Sequence, residues 1–122
     1  MTRNRKSARS AGTRFERVIA DALAAALDDD RIDRRVKNGA KDRGDVSGVR
    51  LHGQRVVIEC KDVATLALPQ WTAEAQIEAG NDDALVGVVI HKRRSVADPM
   101  HQSVSMTLAD LIAILTGQRV DL

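Results

Sequence analysis

Between residues 13 and 27 the apolar side chains Phe15, Val18, Ile19, Ala22, Leu23, Ala26 and Leu27 return at steps of three and four. That spacing gathers them on one face of a helix. Thr13 and Glu16 supply the T-x-x-E pattern of a capping box at its start, and Asp28, Asp29 and Asp30 end it. Residues 31–36 alternate weakly, as a short edge strand would, and a loop rich in glycine and charge runs from 37 to 44. Two strand-like runs, 45–51 and 55–61, flank His52, Gly53 and Gln54 with the spacing and composition of a hairpin. The second run reads as a central strand whose end turns polar. Pro69 and Gly80 bracket a second helix through Trp71, Ala75, Gln76 and Ala79. Residues 84–90 are apolar on both faces and predict a buried strand, and residues 103–106 predict one more. Thr107 with Asp110 opens a last helix whose stripe is Leu108, Leu111, Ile112 and Leu115, with Ile114 outside it and Gly117 beyond. The predicted class is α/β: a mixed sheet flanked by helices.

The chain has 122 residues, enough for one domain with a single core. Residues 1–12 are basic and without periodicity, so the expected division is a flexible arm at 1–12 and one domain over 13–122. No apolar run approaches the roughly 20 residues that span a bilayer, no secretory signal is expected, and no membrane partner. Cys60 stands alone, with no His/Cys cluster to suggest zinc, and fits a reducing, cytoplasmic setting. The net charge is only +2, but the basic residues cluster. Arg3, Arg5, Lys6, Arg9 and Arg14 form one block, and Arg35, Lys37, Lys41 and Arg43 belong to another. Two such blocks suit a phosphate backbone; the plainer reading is a charged tail and a solvated loop. Aromatic residues make up 2% of the chain, which disfavours a base-stacking platform.

The chemistry concentrates around Glu59-Cys60-Lys61. An acid-x-lysine triplet recurs by chance, but this one closes an apolar strand, where side chains two apart share a face. Gly44-Asp45 opens the preceding strand and brings a second carboxylate. Glu16, one of only four glutamates, sits in the first turns of the first helix. Each has a duller alternative: Glu16 as a capping residue, Glu59 with Lys61 as a surface ion pair, and Asp45 as a loop residue.

Glu16, Gly44-Asp45 and Glu59-x-Lys61 in an α-β-β-β-α-β order resemble the PD-(D/E)XK nuclease superfamily. The Arg14-Phe15-Glu16-Arg17 helix start and the small size are most similar to the small Holliday junction resolvases of archaeal and phage type. The resemblance spans roughly residues 13–95, with Gly44 standing where the superfamily's name has proline. It implies a restriction-endonuclease-like fold and a Mg²⁺-dependent endonuclease, Mn²⁺ substituting, that hydrolyses DNA phosphodiester bonds in four-way or other branched DNA. Asp45, Glu59, the carbonyl of Cys60 and Glu16 would hold the ion, Lys61 would orient water and steady charge, and Gln76 is a possible further polar contact. Cutting two strands symmetrically implies a homodimer. The alternatives are a nuclease of this fold with another substrate and a non-catalytic nucleic-acid-binding module.

The resemblance makes one geometric demand. A two-residue turn at His52-Gly53 followed by unbroken pairing would set Asp45 opposite Cys60 and leave Glu59 on the other face. The site therefore requires a three-residue loop or a bulge, at Gly48 or Gly53, that brings Asp45 and Glu59 together.

Overall fold

The computed structural model describes residues 4–37 and 39–120. Helix α1 (Arg5–Ala26) is followed by strands β1 (Asp33–Arg34), β2 (Val46–Ser47), β3 (Arg50–Leu51) and β4 (Gln54–Lys61). Helix α2 (Leu68–Asn81), β5 (Val86–His91), a 3₁₀ turn (Pro99–His101), β6 (Ser103–Ser105) and α3 (Leu108–Thr116) complete the chain. The sheet runs β1-β2-β4-β5-β6, with β3 as a further partner of β4. Only β4 and β5 are parallel, joined by the α2 crossover; the remaining pairings are antiparallel. The fold is thus mixed α/β, a six-stranded mixed sheet flanked by helices. No helix among the described residues is long and apolar enough to cross a membrane.

Alternation along β4 and β5 sorts the layers. Ile58, Cys60, Val88 and Ile90 face α1 and pack with Phe15, Ile19 and Ala20. Val57 and Val89 face α2, with Ala79 and with Trp71 and Ala75 respectively. Every residue of β5 is buried, as expected of a central strand covered on both faces. Helix α2 lies unusually close to it: a Cβ on Gly87 would come 2.1 Å from the carbonyl oxygen of Ala75. This glycine lets the helix press onto the strand.

Helix α1 begins at Arg5, capped by Asn4, whose side chain accepts from the Ser7 N–H at 2.8 Å. The capping box expected at Thr13 and Glu16 is therefore corrected: both lie in the helix interior, and residues 5–12 of the expected arm are helical. Arg, Lys and Ala favour helix, while residues 5–10 are exposed. They consequently carry no apolar period from which a helix could be read. The last helix is a second correction. Ala113 is buried and Ile114 packs on the core, while Leu108, Leu111, Ile112 and Leu115 are exposed. Thr107 does cap it, accepting from the Asp110 N–H, and Gly117 ends it in the left-handed region.

The hairpin satisfies the geometric demand by a bulge. Leu51 pairs with Gln54 and Arg50 with Arg55 across the two-residue turn His52-Gly53, both with positive φ, as a type I′ turn requires. Beyond it Val46 pairs with Ile58, a shift of one residue between β3 and β2. Val49 keeps the register of β3, its carbonyl accepting from the Val56 N–H at 3.0 Å, so the extra residue is absorbed at Ser47-Gly48. Gly48 has φ +93°, and a Cβ there would come 2.7 Å from the Arg31 carbonyl oxygen. Asp45 thereby falls beside Glu59 instead of Cys60. Gly48→Ala should strain the bulge and cost ~1–3 kcal/mol, measured as a lower urea midpoint with an unchanged slope.

Candidate functional site: a buried carboxylate cluster

Asp45 enters the site from a tight approach of backbone to β4. Gly44 has φ +93°, and a Cβ there would lie 2.9 Å from both the Ile58 oxygen and Val57 Cγ1. Proline, with φ fixed near −65°, could not occupy this position. Asp45 is 4% exposed; its Oδ2 accepts from the Cys60 N–H at 2.8 Å, and its Oδ1 lies 2.6 Å from Lys37 Nζ. Glu59 stands in the middle of the polar end of β4, within hydrogen-bonding reach of the carboxyls of Asp45 and Glu78. Glu78 in turn reaches Asp42. Four carboxyl groups thus run in a chain, Asp45, Glu59, Glu78, Asp42, and Lys37 spans its ends, 3.9 Å from Asp42 Oδ1.

The electrostatics follow from crowding. Burial, then the neighbouring carboxyls of Asp45 and Glu78, push the Glu59 pKa up to about 11. Burial and the charges of Asp42 and Asp45 raise Glu78. Burial also works against ionised Asp45, but the contacts from Glu59, the Cys60 N–H and Lys37 prevail and hold it below the usual carboxylate range. A bond between two carboxyls exists only while one is protonated. Neither Glu59 Oε2 nor Glu78 Oε2 has a hydrogen-bond partner among the described residues.

The remaining expected site residues divide. Glu16 approaches from α1: burial and then the charge of Asp45 raise its pKa, and Arg34 holds its Oε1 at 3.1 Å. Lys61 shares the α2 face with Glu59 but pairs with Glu74 Oε2 at 3.7 Å. The thiol of Cys60 lies in the core on the α1 face, and burial pushes its pKa up; its backbone N–H is what reaches the cluster. Gln76 is not in the cluster; its Nε2 donates to Thr107 Oγ1 at 2.9 Å, toward α3.

The basic residues also separate into two groups. Arg5, Lys6, Arg9 and Arg14 are exposed on α1, and Arg3 lies outside the described residues. In the second block, charge is largely taken up internally: Arg35 and Arg43 pair with buried Asp82, and Lys37 pairs with Asp45 and Asp42. Lys41 makes no ion pair among the described residues. Together these four residues line an open cleft of about 210 Å³ with Asp42 and Gly44 at its edge.

Asp42 and Glu78 were not anticipated. Glu78 had a signal: Trp71, Ala75, Glu78 and Ala79 form the buried stripe of α2, and an acid on an apolar helical face demands a partner. Asp42, in an irregular loop, had none. No family model, curated protein or solved structure matches the chain.

Glu59 fixes the pH response. Between its ordinary value of 4.5 and about 11, the folded chain holds a proton that the unfolded chain has released, so stability falls as pH rises. Asp45 has the opposite sign, with stability lost only in acid, and leaves this slope uncompensated near neutrality. Without divalent cations the melting temperature should fall between about pH 6 and about pH 9. Glu59→Gln should flatten the slope and melt several degrees higher at the alkaline end, readable by scanning calorimetry.

Proposed function

We propose that the chain is a divalent-metal-dependent endonuclease of restriction-endonuclease-like fold that hydrolyses DNA phosphodiester bonds, with four-way or other branched DNA as its substrate. One observation carries the proposal: buried Asp45 and Glu59 meet at the polar end of the strand that ends in Lys61, with a glutamate oxygen that has no hydrogen-bond partner among the described residues. With β2 and β3 counted as the two halves of one bulged strand, the α-β-β-β-α-β order and the mixed sheet support the resemblance drawn from Glu16, Asp45 and Glu59-x-Lys61.

The residues fit a hard divalent ion. The donor set is carboxylate oxygen, which suits Mg²⁺ or Mn²⁺, and Glu59 Oε2 is buried with no hydrogen-bond partner among the described residues. Asp45 and Glu59, with the Cys60 carbonyl and Glu16 at the margin, would hold it. When bound, the ion neutralises phosphate charge and makes water a stronger nucleophile near neutral pH.

The chain's own residues supply the rest. Lys61, its side chain a quarter exposed and tied to Glu74, offers three donors to orient water and steady charge on the phosphate. Lys37 neutralises the cluster in the free protein and is exposed enough to swing toward solvent. The exposed cations of α1 and Lys41 at the cleft hold the backbone without reading bases. A clustered set of acids gains a pure DNA binder nothing, since acids repel phosphate, and this favours the enzyme over the binding module.

Glu59→Gln and Asp45→Asn should each lower Mg²⁺-dependent nicking by ~100-fold or more while junction binding in gel shifts stays equal or tightens. Lys61→Ala should also stop nicking. Wild-type rates in Glu59→Gln would overturn the assignment.

Two cuts of like polarity call for two sites, and we propose a homodimer to supply them. Helix α3 supports it by exposing Leu108, Leu111, Ile112 and Leu115, and β6 exposes Val104. These are large apolar side chains to leave in water on one short helix. The double variant Leu111→Asp with Leu115→Asp should sediment as a monomer, keep Mg²⁺-dependent nicking of linear DNA and lose paired symmetric cuts in junctions.

A further inference from the structure

Glu59 and Glu78 belong to different elements, β4 and α2, and are 7% and 6% exposed. Buried acceptors are ordinarily matched by donors, yet each of these side chains keeps an oxygen, Oε2, with no partner among the described residues. Asp42 adds a third carboxylate from the neighbouring loop. One oxygen from each of the three lies within 4.8 Å of the others.

We propose that Asp42, Glu59 and Glu78 form a divalent-cation site of their own on the α2 side of Glu59, leaving Glu59 shared with the ion expected beside Asp45. The inference rests on the metal-dependent reading above and extends it to residues outside the acid-x-lysine motif. All three donors are hard oxygens, so the ion is Mg²⁺ or Mn²⁺. Two of the ligands stand on rigid supports. Glu59 lies in a strand paired along its length with β5, and Glu78 lies on a helix pressed onto that strand at Gly87 and Ala75. Asp42 is exposed and borders the cleft lined by Arg35, Lys37, Lys41 and Arg43, which gives an ion, or a phosphate that it anchors, a way in. Lys37 already sets a positive charge between Asp45 and Asp42, at the boundary between the two ion positions.

The test uses the full chain without DNA: Mn²⁺ titrated and counted by electron paramagnetic resonance and calorimetry. Glu78→Gln and Asp42→Asn should each remove one bound ion or weaken it by about 10-fold or more, with circular dichroism unchanged. Asp45→Asn should retain that ion, and Glu59→Gln should impair both. Asp42, on an exposed loop, decides the matter should Glu78→Gln fold poorly. Wild-type stoichiometry and affinity in Asp42→Asn, with Mn²⁺ sensitive to Asp45→Asn and Glu59→Gln alone, would overturn this inference and leave the nuclease reading standing. Mn²⁺ held through Asp42 and Glu78 in a protein that nicks no DNA would uphold the inference and overturn that reading.

Discussion

A single residue inserted at Ser47-Gly48 sets which side chains of the hairpin meet. Because side chains alternate across a strand, one step of register exchanges an entire face. The two-residue turn at His52-Gly53 alone would carry Asp45 to Cys60, whereas the bulge carries it to Glu59. Glycine is required there on two counts, a positive φ and the nearness of the Arg31 carbonyl. The backbone thus stores an uncommon conformation in order to set two acids side by side.

That juxtaposition is costly by itself. Carboxyls at the polar end of β4 lose hydration and repel one another, and the cluster answers with a proton retained on Glu59 and with the ammonium of Lys37. A buried β5, the close contact of α2 at Gly87 and the packing of α1 on the opposite face hold the elements that present these acids. Rigid support under mutually repelling groups is the arrangement expected where a cation is to be bound, since the repulsion disappears when the ion arrives.

Much of this was legible in the sequence, for identifiable reasons. Period-2 and period-3.6 patterns located β4, β5, α2 and the packed part of α1, because each owes its pattern to burial. The exposed first turns of α1 have no such pattern, and Thr13 with Glu16 imitates a helix start in mid-helix. Helix α3 misled in the opposite way: its leucines repeat at core spacing, but the core takes Ala113 and part of Ile114. Asp45, Glu59 and Lys61 were readable through motif spacing. Glu78 was marked by its place in the stripe of α2, whereas Gln76, the polar residue singled out on that helix, turns to Thr107. The internal pairing of Arg35 and Arg43 with Asp82 joins residues about 40 or more positions apart, which no local pattern reveals.

The exposed cations of α1 lie outside the carboxylate cluster, so in the proposed nuclease holding a backbone and cutting it would fall to different parts of the chain. Everything in this account turns on the cluster accepting a divalent ion. The most direct measurement is an anomalous difference map at the manganese edge from crystals soaked in Mn²⁺. The account predicts density among Asp45, Glu59, Glu78 and Asp42, with Lys37 displaced from Asp45. Crystals that show no peak there at millimolar Mn²⁺, with Lys37 still bound to Asp45, would contradict it.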